Sequence, residues 1–283
     1  MSWVWVDGSV RSPFAAAEGA SVSVDDIALL RGVGVFETFK VVSGVPFAMR
    51  RHLERLRDAA RVAAIDVPWT DDELRSICAE VLEAVPPAAD PDALLRLRIT
   101  VTGGARRTGG GERTSGLVVG AEHGPPWPPE AVVVTDPHPV NERGPLVGAK
   151  VTSYLEQVVL LARAQERGAD EAVRSNTVGA LCEGTASNLF VVVDGELCTP
   201  ALSTGCLPGV TRALVMDLVT VHERDDLTVD DLRNAPEAFL TSSTRDVHPI
   251  RSVDGRGFDA VPGPLTAAAA KAFEALRARD LDP

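Results

Sequence analysis

Short segments in which hydrophobic and polar residues alternate occur along the whole chain, and turn residues bound each of them. This period-two alternation is typical of strands that bury one face, whereas a short unbroken apolar run is typical of a strand buried on both faces. The segment 34–49 divides in two at a Ser43-Gly44 turn, and 4–6 precedes an Asp7-Gly8 turn. We therefore predict strands at 4–6, in both halves of 34–49, and at 94–104, 131–135, 171–175, 188–193, 196–199 and within 238–250.

Longer segments carry apolar residues three and four positions apart, the spacing that places them on one face of a helix. One of these segments opens with a Thr-x-x-Glu capping box from Thr70 to Glu73. Another follows Ser153, a suitable N-cap, and is ended by Gly168. We therefore predict helices at 50–65, 70–85, 153–167, from about Gly209, and at 265–278.

The clearest boundary in the sequence is GPPWPPE at 124–130, where four prolines exclude a helix or a central strand. We predict an N-terminal domain at 1–120, a stiff proline-rich linker at 121–130 and a larger C-terminal domain at 131–283. Strands and helices intermix on both sides of the linker, which indicates a mixed α/β fold of the α+β kind. The glycine- and arginine-rich segment 103–116 is predicted to be a flexible loop.

The overall charge and composition exclude several classes of partner. A formal net charge of −12 disfavours nucleic acids and anionic membranes, because their phosphates would be repelled. No apolar run reaches the roughly 18 residues that a membrane helix needs, and the N-terminus lacks the order of a signal peptide. The four cysteines have neither a Cys-x-x-Cys spacing nor a nearby His pair, so we expect reduced thiols and no metal site. These features predict a cytoplasmic protein.

Lysine is rare in this chain, so the positions that it occupies are candidates for chemistry that arginine cannot perform. Of the 28 basic residues only Lys40, Lys150 and Lys271 are lysine, and the other 25 are arginine. Arginine cannot form an imine, whereas a lysine amine can lose its proton and act as a nucleophile. Lys150 precedes the predicted N-cap Ser153, where the helix dipole would lower the pKa of an amine. It is therefore a candidate catalytic lysine, the alternative being a solvated loop lysine, and Tyr154, the only tyrosine, follows it.

Three small-residue turns in the C-terminal half carry further candidate chemistry. Glu183 opens Glu-Gly-Thr-Ala-Ser-Asn before an apolar strand, and a carboxylate that enters a core needs a positive or hydrogen-bonding partner. Gly209-Val210-Thr211 begins a predicted helix, where backbone N–H groups and a hydroxyl form a phosphate cradle. A second hydroxyl-rich turn, TSSTRDV, lies at 241–247 after a predicted strand. Each turn has an ordinary alternative, an exposed glutamate or common helix-capping material.

The order of seven motifs is more specific than any one of them. They are R-G-x-G-V-F-E-T (31–38), H-L-E-R-L (52–56), Lys150 with Tyr154, G-A-D-E-A (168–172), E-G-T-A-S-N-L-F (183–190), L-P-G-V-T-R (207–212) and S-S-T-R-D-V (242–247). In this order they resemble the class IV aminotransferase family, the fold-type IV enzymes that use pyridoxal 5′-phosphate (PLP), across essentially the whole chain. The resemblance implies a two-domain fold like that of D-amino acid aminotransferase, with PLP at the domain interface.

The resemblance also implies a role for each matching residue. Lys150 corresponds to the lysine that forms an imine with PLP, Tyr154 to the tyrosine that hydrogen-bonds its phenolic oxygen, and Glu183 to the carboxylate that keeps its ring nitrogen protonated. The positions that correspond to phosphate contacts are Arg55, Val210, Thr211 and Thr244. The residue types suit these roles, since phosphate needs arginine and N–H donors and an electron sink needs a protonated ring nitrogen.

Two positions depart from the family pattern. Many relatives have Gly-Asp-Gly where this chain has Gly32-Val33-Gly34, so we expect a polar contact near the entrance of the site to be absent. Relatives often have Thr-Arg-Gly where this chain has Thr102-Gly103-Gly104. The arginine that binds a substrate carboxylate therefore stays open among Arg96, Arg98, Arg106 and Arg107.

The resemblance leaves three functions open. We favour 4-amino-4-deoxychorismate lyase, which releases pyruvate and 4-aminobenzoate for folate biosynthesis, because the F-E-T-x-K-V segment, the short chain and the Lys150–Tyr154 spacing most resemble that branch. An aminotransferase acting on a D- or branched-chain amino acid, or on an amine, fits the later motifs equally well. A non-catalytic PLP-binding protein is disfavoured by Lys150 and Glu183. In this family a neighbouring subunit completes the active site, so we also expect a homodimer.

Overall fold

The computed structural model describes residues 3–6, 8–11, 21–106 and 113–283. The chain divides into two compact units: the first is made of Met1–Pro126, Ala149–Tyr154 and Leu281–Pro283, the second of Trp127–Gly148 and Leu155–Asp280. The first change of unit falls inside the proline-rich segment. Segments 149–154 and 281–283, which the sequence-based division placed in the C-terminal domain, belong to the first unit.

In its described residues, the first unit combines an antiparallel six-stranded sheet, a short two-stranded ladder and three helices. Its strands are β1 (Trp3–Val6), β2 (Ser9–Arg11), β3 (Gly34–Val42), β4 (Val45–Pro46), β5 (Leu94–Thr102), β6 (Ala105–Arg106), β7 (Arg113–Thr114) and β8 (Leu117–Gly124). Its helices are α1 (Ile27–Arg31), α2 (Met49–Val62) and α3 (Asp71–Ala84). Across the sheet the strand order is β2-β1-β8-β5-β3-β4, and β6 pairs with β7.

The alternation along β3 and β5 explains how this unit buries its core. Phe39 and Leu97 are fully buried, in one cluster with Leu53 of α2 and Leu74 of α3. Arg98, next to Leu97, points to the opposite face of the sheet, as the period of two requires. One face of the sheet is therefore covered by helices, and the other carries polar side chains.

Long-range backbone hydrogen bonds attach the two outlying segments to the first unit. The Phe36 N–H on β3 donates to the carbonyl of Lys150 at 3.1 Å, which holds 149–154 along that strand. The Ala48 N–H, just before α2, donates to the carbonyl of Leu281 at 2.7 Å. Such contacts join residues more than a hundred positions apart, so no local pattern in the sequence predicts them.

The second unit is built on a nine-stranded mixed sheet with four helices. Its strands are β9 (Ala131–Val140), β10 (Glu171–Asn176), β11 (Leu181–Gly184), β12 (Asn188–Val193), β13 (Glu196–Pro200), β14 (His222–Arg224), β15 (Ala238–Ser242), β16 (Asp246–Val253) and β17 (Arg256–Gly257). Its helices are α4 (Leu155–Glu166), α5 (Val210–Leu218), α6 (Val229–Asn234) and α7 (Pro264–Arg279). The strand order is β11-β10-β9-β16-β15-β12-β13-β14, with β17 beside β16.

This sheet is strongly curled. Strands β11 and β12 are five positions apart in the sheet, yet only residues 185–187 separate them in the chain. Four residue steps span at most about 14 Å, whereas five strand spacings in a flat sheet would require about 24 Å. The sheet must therefore curl until β11 and β12 approach each other. The core of the unit, which includes Val173, Leu189 and Leu240, lies inside this curl.

Most of the predicted elements are confirmed. The Ser43-Gly44 turn joins β3 to β4, strand 188–193 has the predicted bounds, and the Thr70 capping box is complete, with hydrogen bonds in both directions to Glu73. Gly209 is the N-cap of α5. The mixed α/β class therefore follows from patterns that act within a few residues.

Three local predictions were wrong. Helix α4 begins at Leu155 rather than at 153, and the Ser153 hydroxyl donates to the carbonyl of Gly32 at 2.9 Å instead of capping the helix. The helix-dipole argument for Lys150 therefore loses its basis. Glu183 lies in strand β11, not in a turn. The ends of the 103–116 loop form β6 and β7, while 107–112 and Asp7 lie outside the described residues.

In the part of the chain that the structure describes, none of the helices combines the length and the apolar composition needed to cross a bilayer. All four cysteines are buried free thiols. The cytoplasmic location stays a prediction.

Candidate active site

Lys150 lies beside two aromatic rings in the first unit. Its Nζ is 4.4 Å from the centre of the Phe36 ring and 5.5 Å from the centre of the Tyr154 ring. The two rings meet edge to face, with their centres 5.5 Å apart. A cation close to an aromatic ring is attracted by the electrons of its face. The structure thus places the two residues that were predicted to act together, Lys150 and Tyr154, around one buried phenylalanine.

A buried ion cluster joins strand β3 to helix α2 in the same unit. Glu37 is fully buried, and its carboxylate accepts hydrogen bonds from Arg55 Nε at 2.8 Å, Arg55 Nη2 at 2.7 Å and His52 Nδ1 at 2.7 Å. The F-E-T and H-L-E-R-L motifs are therefore in direct contact. A guanidinium carries five N–H donors, so the pairing of Arg55 with Glu37 is compatible with the predicted contact between Arg55 and a phosphate.

The Glu37 carboxylate of this cluster stays ionised over the ordinary pH range. Burial alone would raise the pKa of Glu37, but the charge of Arg55, supported by His52, outweighs it and lowers the pKa to about 2. Burial also lowers the pKa of His52, which favours the neutral ring. Because the pKa of Glu37 in the folded protein lies below its usual value of 4.5, its pairing contributes stability above that pH. This contribution is lost as the pH falls toward about 2.

In the second unit, Glu183 organises the loop that leads into helix α5. Its Oε2 accepts a hydrogen bond from the backbone N–H of Leu207 at 2.8 Å. Asn188 Nδ2 donates to the carbonyl of the same Leu207 at 2.9 Å. A side chain at Gly209 would collide with Asn188, so this close approach requires glycine. The first and last residues of the E-G-T-A-S-N motif, Glu183 and Asn188, thus both bind Leu207, the first residue of the L-P-G-V-T-R motif.

The N-terminus of α5 offers donors for an anion. No side-chain hydrogen bond caps this end, which begins at Gly209. The first N–H groups of a helix have no partner within the helix and attract phosphate groups. The predicted phosphate residues Val210 and Thr211 lie here and are buried. Arg212 instead has a structural role, since it donates to the carbonyl of Pro200 at 2.9 Å.

Thr244 lies half-buried in the turn between β15 and β16. The next residue, Arg245, closes this turn by donating its backbone N–H to Ser242 Oγ at 3.2 Å. The Arg245 guanidinium lies 4.0 Å from the centre of the Trp127 ring. Because Trp127 belongs to the proline-rich segment, the end of that segment packs on the second unit rather than forming a free linker.

Two fully buried glutamates received no role in the sequence analysis. Glu37 occurs within the F-E-T motif and Glu171 within G-A-D-E-A, and both are 0% exposed. A signal for them was present, because an acidic residue inside an apolar strand needs a charged or hydrogen-bonding partner. The sequence contains no indication of which residue that partner is.

The structure separates the arginines that were considered for a substrate carboxylate. The Arg98 guanidinium carbon is 3.7 Å from the centre of the Phe36 ring, the same ring that borders Lys150. Arg96, two residues earlier on β5, pairs with Glu122 at 3.3 Å. The remaining candidates are not covered, since the Arg106 side chain and all of Arg107 lie outside the described residues.

The two departures from the family pattern meet in the first unit. The Gly103 N–H donates to the carbonyl of Val33 at 2.8 Å. A side-chain carbon at Gly103 would lie 2.8 Å from the Val33 side chain and 2.7 Å from that of Ile27. Val33 and Ile27 therefore occupy the space that a longer residue at 103 would need, so the two departures are sterically matched.

The donor set fits PLP. Of the predicted residues, Arg55, Lys150 and Tyr154 belong to the first unit, and Glu183, Val210, Thr211 and Thr244 belong to the second. The residues of the first unit include an amine that suits an aldehyde and an arginine that suits a phosphate, and those of the second include a carboxylate that suits a ring nitrogen and N–H and hydroxyl donors that suit a phosphate. The uncapped helix end behind Gly209 is the feature that most specifically suits the phosphate.

Comparison with the sequences of known proteins also identifies the class IV aminotransferase family. Residues 34–253 match the family model for amino-transferase class IV. A Methanocaldococcus jannaschii protein provisionally named as a branched-chain-amino-acid aminotransferase is 34% identical over 260 residues, which cover 87% of this chain and 88% of that protein. A D-alanine aminotransferase of Bacillus licheniformis is 29% identical over 266 residues, which cover 87% of this chain and 88% of that protein.

Solved structures match the fold over nearly the whole chain. A branched-chain aminotransferase of Thermoproteus uzoniensis, crystallised with norvaline, superposes with a TM-score of 0.82 at 28% identity and covers 97% of this chain and 94% of its own. A Legionella pneumophila protein described as a candidate 4-amino-4-deoxychorismate lyase superposes with a TM-score of 0.81 at 26% identity, covering 93% of this chain and 97% of its own. The predicted two-domain fold is confirmed.

Proposed function

The chain belongs to the class IV aminotransferase family and is a PLP-dependent enzyme, and on this premise we propose that it transfers the amino group of a branched-chain or similar apolar amino acid to a 2-oxo acid. The observation that carries the proposal is its likeness to proteins named as branched-chain aminotransferases, in sequence and in fold, over nearly the whole chain. The sequence analysis favoured the lyase, and these relatives shift the balance to its alternative.

The residues of the first unit hold and serve the reactive end of the cofactor in this proposal. PLP, when bound, supplies the electron sink that makes the bonds at the amino-bearing carbon reactive. Lys150 Nζ would hold the cofactor covalently and would move a proton at that carbon. Tyr154 orients the cofactor by a hydrogen bond to its phenolic oxygen. Glu37 and His52 fix the Arg55 guanidinium, which binds the phosphate.

The residues of the second unit hold the other functional groups of PLP in this proposal. The negative charge of Glu183 keeps the ring nitrogen protonated, and its hydrogen bond from Leu207 fixes the carboxylate. Val210 and Thr211 bind the phosphate at the N-terminus of α5, where the helix dipole favours an anion. Thr244 adds a hydroxyl donor from the turn after β15.

Arg98 is the arginine that we propose for the substrate carboxylate, because its guanidinium lies on the ring that also borders Lys150. Charge-assisted hydrogen bonds contribute about 1.5–3 kcal/mol each, so Arg98→Ala should lower kcat/KM by about 10–100-fold, chiefly by raising KM. Steady-state kinetics with an amino acid donor measure this effect. The matched control is Arg96→Ala, on the same face of the same strand and paired with Glu122. An equal effect of both replacements would contradict the assignment.

The lyase remains a second candidate because the Legionella protein matches this fold as closely as the branched-chain enzyme does. The two reactions differ in what they need. The aminotransferase returns its amino group to a 2-oxo acid, whereas the lyase releases pyruvate from 4-amino-4-deoxychorismate with no acceptor.

One assay distinguishes the two functions. PLP-loaded protein is incubated with leucine, valine or alanine of either configuration together with 2-oxoglutarate, and separately with 4-amino-4-deoxychorismate alone. The proposal predicts turnover that requires the 2-oxo acid and is fastest with an apolar branched donor. Pyruvate release from 4-amino-4-deoxychorismate without an acceptor, in the absence of any transamination, would contradict it and identify the lyase.

We further propose that the active form is a two-fold homodimer, the commonest closed symmetry. Each unit exposes large apolar side chains to solvent, a feature that is typical of surfaces that bind another protein chain. Leu29 and Leu30 on α1 are 67% and 62% exposed, and Leu155 and Val158 on α4 are 75% and 58% exposed. Sedimentation at micromolar concentration should give about twice the mass of the 29.9 kDa chain. A monomer that retains full activity at that concentration would contradict the prediction.

A further inference from the structure

Glu171, the first residue of β10, carries a carboxylate that contacts two different turns. It is fully buried and lies on the same face of the strand as the core residue Val173. One oxygen accepts hydrogen bonds from the backbone N–H of Thr185 at 3.0 Å and from the Thr185 hydroxyl. The other accepts from Ser187 Oγ at 2.9 Å and faces Arg245 Nη2 at 3.4 Å.

One of these turns carries the predicted cofactor contact Thr244, and the other follows the end of β11, which carries Glu183. Thr185 and Ser187 lie in the connection between β11, which ends with Glu183 and Gly184, and β12. Arg245 directly follows Thr244 and is itself buried, with a side chain 3% exposed. A single carboxylate therefore connects the segment of Glu183 to the segment of Thr244.

The backbone beside Glu183 is shaped for this contact. A side-chain carbon at Gly184 would lie 3.0 Å from the Glu171 carboxylate carbon and would collide with Ser187. Glycine at this position lets the carboxylate reach the backbone of the turn. A residue that merely filled the core would be apolar, because burying a carboxylate is unfavourable unless hydrogen-bonding or charged partners offset the loss of water.

We propose that Glu171 is a positioning residue that fixes the distance between Glu183 and the turn of Thr244. This inference rests on the proposed function, since the distance matters only if both segments bind one ligand. PLP is such a ligand: its phosphate is joined to the rigid ring through one methylene and one ester oxygen, so the distance from the ring nitrogen to the phosphate varies only within narrow limits. Glu171 acts through its neighbours and touches neither group itself.

The test is a comparison of two buried glutamates in the same unit. Glu171→Gln keeps the size of the side chain but removes the charge that pairs with Arg245 and one acceptor oxygen. Glu237→Gln is the matched control, because Glu237 is also buried and accepts from the backbone N–H groups of Leu265 and Thr266 at the start of α7. Thermal unfolding without cofactor and PLP titration of the apoprotein, followed by absorbance, are measured for both variants and the wild type.

We expect both replacements to lower the unfolding temperature, and only Glu171→Gln to weaken PLP binding, by at least about tenfold. Its visible absorption band should also shift, because the contact between Glu183 and the ring nitrogen is displaced. Should Glu171→Gln fail to fold, Ser187→Ala removes one of the connecting hydrogen bonds and should weaken PLP binding in the same direction.

The outcomes separate this inference from the proposed function. If the wild-type protein binds PLP and Glu171→Gln binds it with unchanged affinity, the positioning role is overturned and the proposed function is unaffected. If Glu171→Gln does not fold, an unchanged PLP affinity in Ser187→Ala has the same meaning. An equal loss of affinity in Glu237→Gln also overturns it, because the effect would then be one of general stability. Wild-type protein that binds no PLP overturns both.

Discussion

Replacement of Lys150 by alanine is expected to abolish both the covalent attachment of PLP and turnover. Alanine can neither form an imine nor carry a proton. A positioned acid–base group contributes about 10²–10⁴-fold to a rate, and Lys150 serves two functions, so turnover should fall by at least about 10⁴-fold. That fall corresponds to a barrier increase of about 5 kcal/mol. The visible absorbance of the PLP-loaded variant and its rate with an amino donor and a 2-oxo acid measure the two effects.

The chain offers a matched control for this experiment. Lys271 is an exposed lysine on α7, so Lys271→Ala removes the same functional group from a position outside the proposed site. It should keep both the absorbance and the rate of the wild type. If Lys150→Ala retains a rate within about tenfold of the wild type, another residue carries the chemistry.

Replacement of Glu183 by glutamine should separate the electronic role of this residue from cofactor binding. Glutamine can still accept the hydrogen bond from Leu207, so the loop before α5 should keep its shape. The ring nitrogen, however, loses the negative charge that keeps it protonated. We expect nearly unchanged PLP affinity and a turnover lower by at least about a hundredfold, a barrier increase of roughly 3 kcal/mol. A turnover equal to that of the wild type in this variant would show that Glu183 has only a structural role.

Arg55→Lys should have the opposite effects to Glu183→Gln: a lower affinity for PLP, and a rate that is largely kept when PLP is saturating. Lysine keeps the charge that the buried Glu37 requires, but it cannot bind a carboxylate and a phosphate with the several donors of arginine. PLP affinity should therefore fall, while saturating PLP should restore a large fraction of the rate. Arg57→Lys, on the same helix and paired with Asp71 near the surface, should change neither. A loss of rate in Arg55→Lys that saturating PLP does not restore would contradict the assignment of Arg55 to the phosphate.

Local patterns in the sequence predicted the elements well where the deciding interactions are local. The capping box at Thr70 needs only Glu73, three residues away, and the helix after Gly209 follows from small residues before an apolar segment. Ser153 shows where such reasoning fails. Its hydroxyl has the chemistry of an N-cap, but it donates instead to the carbonyl of Gly32, 121 residues earlier.

The site could be predicted as a set of residues but not as an arrangement. The motifs identified Lys150, Tyr154 and Glu183, whereas the partners of the buried Glu37 and Glu171 depend on how distant strands pack. Glu171 meets Arg245, 74 positions later, only because the sheet of the second unit curls. Likewise, Arg98 could be preferred over Arg96 only when β5 was placed beside Phe36. Tertiary packing, not residue type, decides these cases.

The most direct test of the account is reduction of the PLP-loaded protein with borohydride, followed by mass spectrometry of its peptides. Borohydride converts an imine between PLP and a lysine into a stable amine, so the cofactor stays attached to the residue that held it. The account predicts one modified site, at Lys150, and loss of turnover in proportion to the modification. Modification at Lys40 or Lys271, or none at Lys150 in protein that binds PLP and is active, would contradict it.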